Sequence, residues 1–553
     1  MKTIRNNLTL LVLILAAHCS ALGADSDSYR FKLSLDTKAG ELSGIVCIDY
    51  VNNSEQPLRE IRLRLDTNLS TADSMLIAAV KDDDGKELPW RHISANWGQQ
   101  SSEKGQMAIA LPRPLETGGI TRLDMEYRYT GKSALSPTMI VLQDDPYPSL
   151  DAWYPKAMSF RDGTWSYDDD RPADYNVELD LPDNLVIAST GSVIDERRDE
   201  EGRVTLHLKA DKVRGFTTYG SELWRVHSKK AHGVDLRCFV SKEHERWAER
   251  LLSGAADAVD YYRTEYGEYP CTHVDIICPT AGSGGGAFAA CNVIGIFMTR
   301  NLEQKYRWLI AHEVAHQYFG NLINQPRNEV NWVLLGLGMV MDRHYLLDRG
   351  LDDKMHRQVM NFYPMVKRQG RNTSLSQTVE DLTRAEKPWS WQWNLALGHG
   401  KAFAVCSLLE DLLGEEQFKK VIKKVIAEHA GGMITASDLI DYCEKACGND
   451  LSWFFAAWIR GDATLNYAIT NVRKAKAGWE VEVSQLGTAA FPVLVEATTQ
   501  SGDKLRQRIS RTMKVNLLSF AAEEKLVSVV VDPDGVCPDM DTSDNRWPGD
   551  SNR

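Results

Sequence analysis

Residues 312–316 of this 553-residue chain read HEVAH, directly after the apolar helical run Arg307–Ala311. His312 and His316 are four residues apart, so on a helix both imidazoles project from the same face. Two neutral imidazoles at this spacing suit a zinc ion, and Glu313 between them suits a general base acting on water at the metal. The stretch therefore predicts a helical metal site with His312 and His316 as ligands and Glu313 as base.

The regions on either side of the motif predict several domains. Upstream, short alternating runs such as Tyr29–Leu35 are separated by turn residues such as Asp84-Gly85, a pattern typical of an all-β module. From about residue 234 onward, strand-like runs give way to long helical segments, including 305–320 and 331–347. Alternation returns after about residue 466. The predicted domains are a β domain at 25–228, a catalytic domain at 229–465, a β-sandwich at 466–540 and a disordered polar tail at 541–553.

The first 24 residues predict a signal peptide. Lys2 and Arg5 precede the apolar run Leu8–Ala17, and small residues follow it up to Ala24. The run is too short to span a bilayer and no later stretch is longer, so we expect no transmembrane segment. The predicted location is outside the cytoplasm, either periplasmic or secreted.

Composition argues against some classes of function but does not decide whether the cysteines form disulfides. Hydrophobic residues make up 43% and charged residues 25% of the chain, as in soluble globular proteins. The net charge of -12 argues against nucleic acid as a partner. Cys271 could pair with Cys278, and Cys443 with Cys447, or the cysteines could be buried free thiols.

The residues around the motif resemble the gluzincin aminopeptidases, the family of membrane alanyl aminopeptidase and leukotriene hydrolase. The resemblance extends over nearly the whole mature chain and is carried by HQYFGN at 316–321, Trp332 and Gly336, LEDLLGEEQF at 409–418, DLSWFFAAW at 450–458, Trp153-Tyr154-Pro155 and Val213-Arg214-Gly215-Phe216. It implies a multidomain α+β fold: an N-terminal all-β saddle, a thermolysin-like α+β catalytic domain with a helical lobe, and a C-terminal β-sandwich. It also implies zinc as cofactor and peptides or a protein as substrate.

The position of the third zinc ligand departs from that family. The family places a glutamate there, in a W-L-N-E-G pattern with eighteen residues between it and the second histidine, whereas this chain reads WVLLG at 332–336 and has Leu335. Leucine cannot coordinate a metal, so zinc is expected to be bound weakly or not at all unless another residue substitutes. Asp342 lies two turns on, where we expect it to be solvated or salt-bridged, and Glu329 would need a loop rearrangement. Cys291 and His399 are the other candidate ligands.

Two further family features are altered. The family's G-x-M-E-N strand corresponds to 285–292, and its glutamate would hold the substrate's α-amine, but no acidic residue occurs between Ala281 and Asn301. The family's transition-state tyrosine, two residues before a lysine, corresponds to His399 before Lys401. The resemblance therefore implies a catalytic role for His399 as donor to the developing oxyanion.

Two functions remain open at this point. The first is an exported zinc metallopeptidase that uses Glu313 as base and has altered specificity. The second is an inactive pseudopeptidase that binds peptides or a partner on the same scaffold. The retained pair of histidines and Glu313 favour the first function, and the loss of three family positions favours the second.

Overall fold

The computed structural model describes residues 26–97, 100–131, 135–136, 138–143, 152–166, 171–279, 286–326, 330, 332–377 and 395–548. The predicted signal peptide and Glu329 lie outside these residues. Within the described ranges, no helix is both long enough and apolar enough to cross a membrane.

The N-terminal domain is the expected all-β module. Its strands are β1 Ser28–Asp36, β2 Glu41–Val51, β3 Leu58–Arg64, β4 Met75–Lys81, β5 Trp90–Trp97, β6 Gln100–Leu115, β7 Ile120–Thr130, β8 Leu135–Ser136, β9 Met139–Leu142, β10 Lys156–Ala157, β11 Ser159–Arg161, β12 Thr164–Ser166, β13 Ala173–Pro182, β14 Val186–Ser189, β15 Ser192–Arg198, β16 Arg203–Val213 and β17 Thr218–Ser221, with one short helix, α1 Thr67–Ser70. A seven-stranded sheet in the order β15-β16-β13-β1-β2-β7-β4 dominates. Alternate side chains of β1 and β13 are buried, as a sheet with one face on a core requires.

The central domain places five strands beside the helix that carries the motif. The strands are β18 Trp224–Ala231, β19 Val234–Ser241, β20 His273–Ile277, β21 Ala287–Ala290 and β22 Val293–Ile296, in the order β18-β19-β20-β22-β21. Its first three α-helices are α2 Ala248–Tyr266, α3 Leu302–Ala315 and α4 Trp332–Asp348, and a 3-10 turn at Lys242–Trp247 precedes α2. The first strand begins at Trp224, slightly before the predicted domain boundary at 228.

The helical lobe follows α4 and packs on it. Its helices are α5 Lys354–Met360, α6 Phe362–Arg368, α7 Ala402–Leu413, α8 Glu415–His429, α9 Ala436–Cys447 and α10 Ser452–Phe455, and π-helical turns lie at Leu395–Lys401 and Ala456–Arg460. Helix α9 begins with a capping box between Thr435 and Asp438 and ends at Gly448 in the left-handed region. These local signals fix the ends of the helix, while apolar packing fixes its position.

The C-terminal domain is a β-sandwich. Its strands are β23 Tyr467–Ala475, β24 Gly478–Gln485, β25 Leu494–Thr499, β26 Lys504–Arg508, β27 Val515–Phe520, β28 Leu526–Val531 and β29 Arg546–Trp547, in sheets β23-β24-β27 and β26-β25-β28-β29. One continuous apolar core joins the central domain, the lobe and this sandwich.

Part of the predicted polar tail is ordered. Trp547 pairs with Val529 as β29 joins β28, so the expectation of disorder is wrong for 541–548. The sequence signal was weak because this strand has only two residues. Residues 549–553 lie outside the described ranges.

The predicted fold class is confirmed, since the structure is a multidomain α+β protein with β-rich ends and a central helical region. The helices predicted at 305–320 and 331–347 are α3 and α4. The described cysteines are free thiols and most of them are buried, which agrees with the second of the two alternatives for the cysteines.

Candidate metal centre

The two motif histidines converge on one point. His312 lies in the last turn of α3, and His316 directly follows it with helical backbone angles of φ -61 and ψ -16. Their Nε2 atoms are 3.1 Å apart and both side chains are buried. The i, i+4 spacing on one helix face thus brings the two ring nitrogens to the separation that two ligands of one metal ion would have.

Each histidine is oriented by a hydrogen bond at its other nitrogen. Nδ1 of His316 donates to the carbonyl of Phe319 at 3.1 Å, and Nδ1 of His312 donates to the Asp342 carboxylate at 2.7 Å. In the neutral rings, both Nε2 atoms then carry lone pairs that point at each other. Such an arrangement needs a proton or a cation between the two nitrogens, and it is the second-shell support that metal-binding histidines use.

The contact of Asp342 with the histidine pair could not be predicted from the HEVAH motif alone. Asp342 is fully buried on α4, and its second oxygen is hydrogen-bonded to Nε2 of His356 on α5. Of the two expectations for Asp342, salt-bridged is the one observed and solvated is wrong. Its spacing from Leu335, two turns along one helix face, was the available signal. Nothing in the sequence pointed to His356.

Burial and charge shift the pKa values of these groups in different directions. Burial favours the neutral form of His312, but the hydrogen bond and charge of Asp342 outweigh it and raise the pKa of His312. Burial, with the charges of His312 and His399, lowers the pKa of His316 well below its usual value. Burial alone would raise the pKa of Asp342, yet the charge of His356 and the two histidine hydrogen bonds lower it. These opposite shifts favour a proton on His312 over one on His316.

Glu313 and Trp308 complete the helix face around the pair. Glu313 is 5% exposed, so its carboxylate lies in a largely desolvated region beside the histidines. The ring of Trp308 stacks on His312 with centroids 5.6 Å apart and an interplanar angle of 28°. The ring contact with Trp308 restricts the rotation of His312, and so does the hydrogen bond from His312 to Asp342.

Two residues of this site, His312 and His316, have side chains that suit a metal ion. Leu335 lies on α4 and is buried at 7% exposure, and its place at the family's third-ligand position stays a prediction. Among the residues that the structure describes, no three His, Cys, Asp or Glu side chains form a ready-made metal site. The imidazole pair thus supplies two donors, whereas a catalytic zinc site ordinarily has three protein ligands.

A comparison with protein-family models identifies the domain that holds this centre. Residues 294–458 match the peptidase family M1 domain, a range that contains α3, α4 and the helical lobe. Over this range the chain is similar to peptidase family M1, at a distance.

Curated relatives with low sequence identity include aminopeptidases. Tricorn protease-interacting factor F2 of Thermoplasma acidophilum is 24% identical over 46% of this chain and 34% of its own length. Aminopeptidase 2 of Candida albicans is 22% identical over 47% of this chain and 29% of its own length. Endoplasmic reticulum aminopeptidase 2 of Bos taurus is 23% identical over 44% of this chain and 26% of its own length. The matched stretches thus span about a third or less of these M1 relatives.

The predicted amine-binding strand of this M1 domain is β21. Within it, Ala289 and Ala290 are buried, and the carbonyl of Ala290 accepts hydrogen bonds from Gln317 and Asn321. Residues 280–285 lie outside the described ranges. The strand is held against the end of the motif helix, but it brings no carboxylate of its own.

The two alternative ligands named from the sequence lie in different surroundings. The Cys291 thiol donates to the side-chain oxygen of Asn321 at 3.4 Å, within the network that joins β21 to the motif helix. The ring of His399 lies 5.8 Å from that of His312, centroid to centroid. His399 therefore borders the histidine pair, as predicted for a cleft residue, while its role as a catalytic residue stays a prediction.

Lys401 holds the turn that carries His399. Its side-chain nitrogen is buried and donates to the carbonyls of Thr373 at 2.5 Å and Gly461 at 3.0 Å. The ring of Tyr363 lies 5.4 Å below it. These contacts connect the π-helical turn at 395–401 to the π-helical turn at 456–460. The backbone that carries His399 is therefore held in place.

Proposed function

We propose that this chain is a metallopeptidase of the aminopeptidase type, centred on His312, His316 and Glu313. The observation that carries the proposal is the 3.1 Å separation of the two Nε2 atoms, with both Nδ1 atoms held by acceptors. A pair of buried nitrogen lone pairs is stabilised when it binds a cation. The M1 domain match and the aminopeptidase names of several relatives support the class of reaction.

The chemistry is divided among three residues of this chain. His312 and His316 would hold the zinc ion, which when bound supplies a Lewis acid at the scissile carbonyl. The Glu313 carboxylate accepts a proton from the attacking water and returns it to the leaving amine. Asp342 keeps His312 in the tautomer whose Nε2 faces the metal position.

The proposed substrates are peptides or a protein outside the cytoplasm. Export rests on the N-terminal sequence, since residues 1–24 lie outside the described ranges. Because no acidic residue occurs from 281 to 301, the free α-amine is not held by a carboxylate of this segment. We therefore expect weaker selection for a chain terminus than in an aminopeptidase that has such a carboxylate.

The alternative function is an inactive scaffold that binds peptides or a partner. Leu335 is the specific observation in its favour, because it removes the family's third ligand while leaving the helix packing intact. The hydrogen bonds that orient His312 and His316 toward each other argue against this alternative, since an unused site has no need of them.

The two proposed functions predict different zinc contents for the purified protein and different rates of substrate hydrolysis. Purified protein is analysed for zinc by elemental mass spectrometry and assayed on aminoacyl and peptide reporter substrates, together with Glu313→Gln and Leu335→Glu. The matched control is Glu303→Gln, an exposed glutamate on the same helix. We expect stoichiometric zinc in the wild type and turnover that Glu313→Gln lowers at least a hundredfold while Glu303→Gln leaves it unchanged. A wild type without zinc that gains it in Leu335→Glu supports the scaffold function instead.

A further inference from the structure

We propose that His399 is the third protein ligand, so that the metal is held by three imidazoles, from His312, His316 and His399. This inference rests on the proposed function and adds to it, because it names the donor that Leu335 cannot supply. Three histidine ligands form an established catalytic zinc site and leave one coordination position open.

Two ring separations can be compared with those of such a site. Two imidazoles bound to one tetrahedral zinc ion, at metal–nitrogen distances of about 2.0–2.1 Å, have ring centres about 5 Å apart. The centroids of His312 and His316 are 4.5 Å apart, and those of His312 and His399 are 5.8 Å apart. The two separations lie on either side of the expected value, so His399 would have to move toward His312 to join the pair at one metal ion.

The backbone that carries His399 suits a ligand. The residue lies in the π-helical turn Leu395–Lys401, a type of turn that often marks functional sites. This turn packs against α4, and Lys401 anchors its C-terminal end. His399 is half-buried, so its ring is partly accessible to solvent.

Asp342 and Cys291, two other donors near the pair, already hold neighbouring groups in place. One oxygen of Asp342 accepts from His312 and the other from His356, so using Asp342 as ligand would break the support of His312. The Cys291 thiol is buried and bonded to Asn321. His399 is thus the described side chain that could complete the set with the smallest rearrangement.

The direct test counts imidazoles at the metal without any substitution. X-ray absorption at the zinc edge of the wild-type protein, with multiple-scattering analysis, distinguishes three imidazole ligands from two. Three support the proposal. Two imidazoles at stoichiometric zinc overturn it while leaving the proposed metallopeptidase intact. No zinc in the wild type overturns both.

Variants provide an independent readout of the same ligand. Cobalt(II) titration of wild type and His399→Ala, followed by visible absorption, should show affinity falling at least tenfold and a shifted spectrum in the variant. The matched control is His429→Ala, whose ring bonds to Met433 and Tyr442 in the lobe. Leu335→Glu combined with His399→Ala should regain the metal. If His399→Ala binds cobalt as the wild type does and only kcat falls, His399 is an oxyanion donor and the proposal is wrong.

Discussion

The carboxylate of Asp342 accepts a hydrogen bond from Nδ1 of His312 at 2.7 Å and holds that ring toward His316. Asp342 is itself held by His356 from the opposite side. A buried carboxylate between two imidazoles fixes the tautomer of both rings, because each must present an N–H to it. The geometry of the histidine pair therefore depends on α4 and α5 as well as on the motif helix.

Replacing Asp342 by asparagine should weaken the metal centre and leave the fold in place. The amide can accept from one histidine only, and its NH2 group opposes the N–H of the other, so one ring must change tautomer. Loss of such a partner lowers metal affinity about 10–100-fold. Zinc affinity measured by competition with a chromophoric chelator tests this. Asp441→Asn, an exposed aspartate of α9, is the control and should bind zinc as the wild type does. Equal affinity in the Asp342 variant would contradict the assigned role.

The sequence predicted the domains and the histidine pair because both depend on local periodicity. Alternating runs predict strands, and the i, i+4 spacing of His312 and His316 predicts a shared helix face. The contact of His356 with Asp342 could not be predicted, since it joins two helices and depends on how α5 packs against α4. The closeness of His399 to His312 could not be predicted either. It brings together segments more than eighty residues apart and depends on tertiary packing.

Gly336 and Gly338 lie on the same helix, and alanine should have opposite effects at the two positions. A Cβ at Gly336 would lie 2.5 Å from Cys406 Sγ and 2.7 Å from the carbonyl oxygen of Ala402, so α4 and α7 would have to separate. We expect Gly336→Ala to lower the free energy of unfolding by about 1–3 kcal/mol. A Cβ at Gly338 meets no atom within 4 Å. Gly338→Ala should raise stability by about 0.5–1 kcal/mol, because alanine favours the helix. Urea unfolding followed by tryptophan fluorescence measures both, and equal effects would show that this close packing is unimportant.

Arg214 links the N-terminal domain to the turn that follows the motif. Its guanidinium is buried and donates to the carbonyls of Asn321 at 2.9 Å, Leu322 at 3.4 Å and Gly432 at 2.5 Å. Arg214→Met leaves these carbonyls without their donor and should cost about 2–5 kcal/mol of stability. The control is Arg197→Met, an arginine with a 63% exposed side chain whose surface ion pairs are worth about 1 kcal/mol or less. Thermal unfolding of both variants measures the difference, and similar losses would contradict a linking role for Arg214.

Lys401 should make stability depend on pH in the alkaline range. Burial lowers the pKa of Lys401 from 10.5 to about 7, although the charge of Asp462 partly opposes it. A neutral amine still has two N–H groups for the carbonyls of Thr373 and Gly461. Between pH 7 and the unfolded pKa near 10.5, the unfolded chain binds one more proton than the folded chain, so stability rises with pH across this window. The slope from one proton is about 1.4 kcal/mol per pH unit.

Lys401→Met removes this titration, so the variant should lose the rise that the wild type shows from pH 7 to 10. Urea unfolding midpoints at intervals of one pH unit measure the slope of each protein. Lys420→Met, an exposed lysine of α8, is the control and should keep the wild-type slope. If Lys401→Met and the wild type have parallel profiles, Lys401 is charged in the folded protein. It would then hold the two π-helical turns together as a buried ammonium group rather than as an amine.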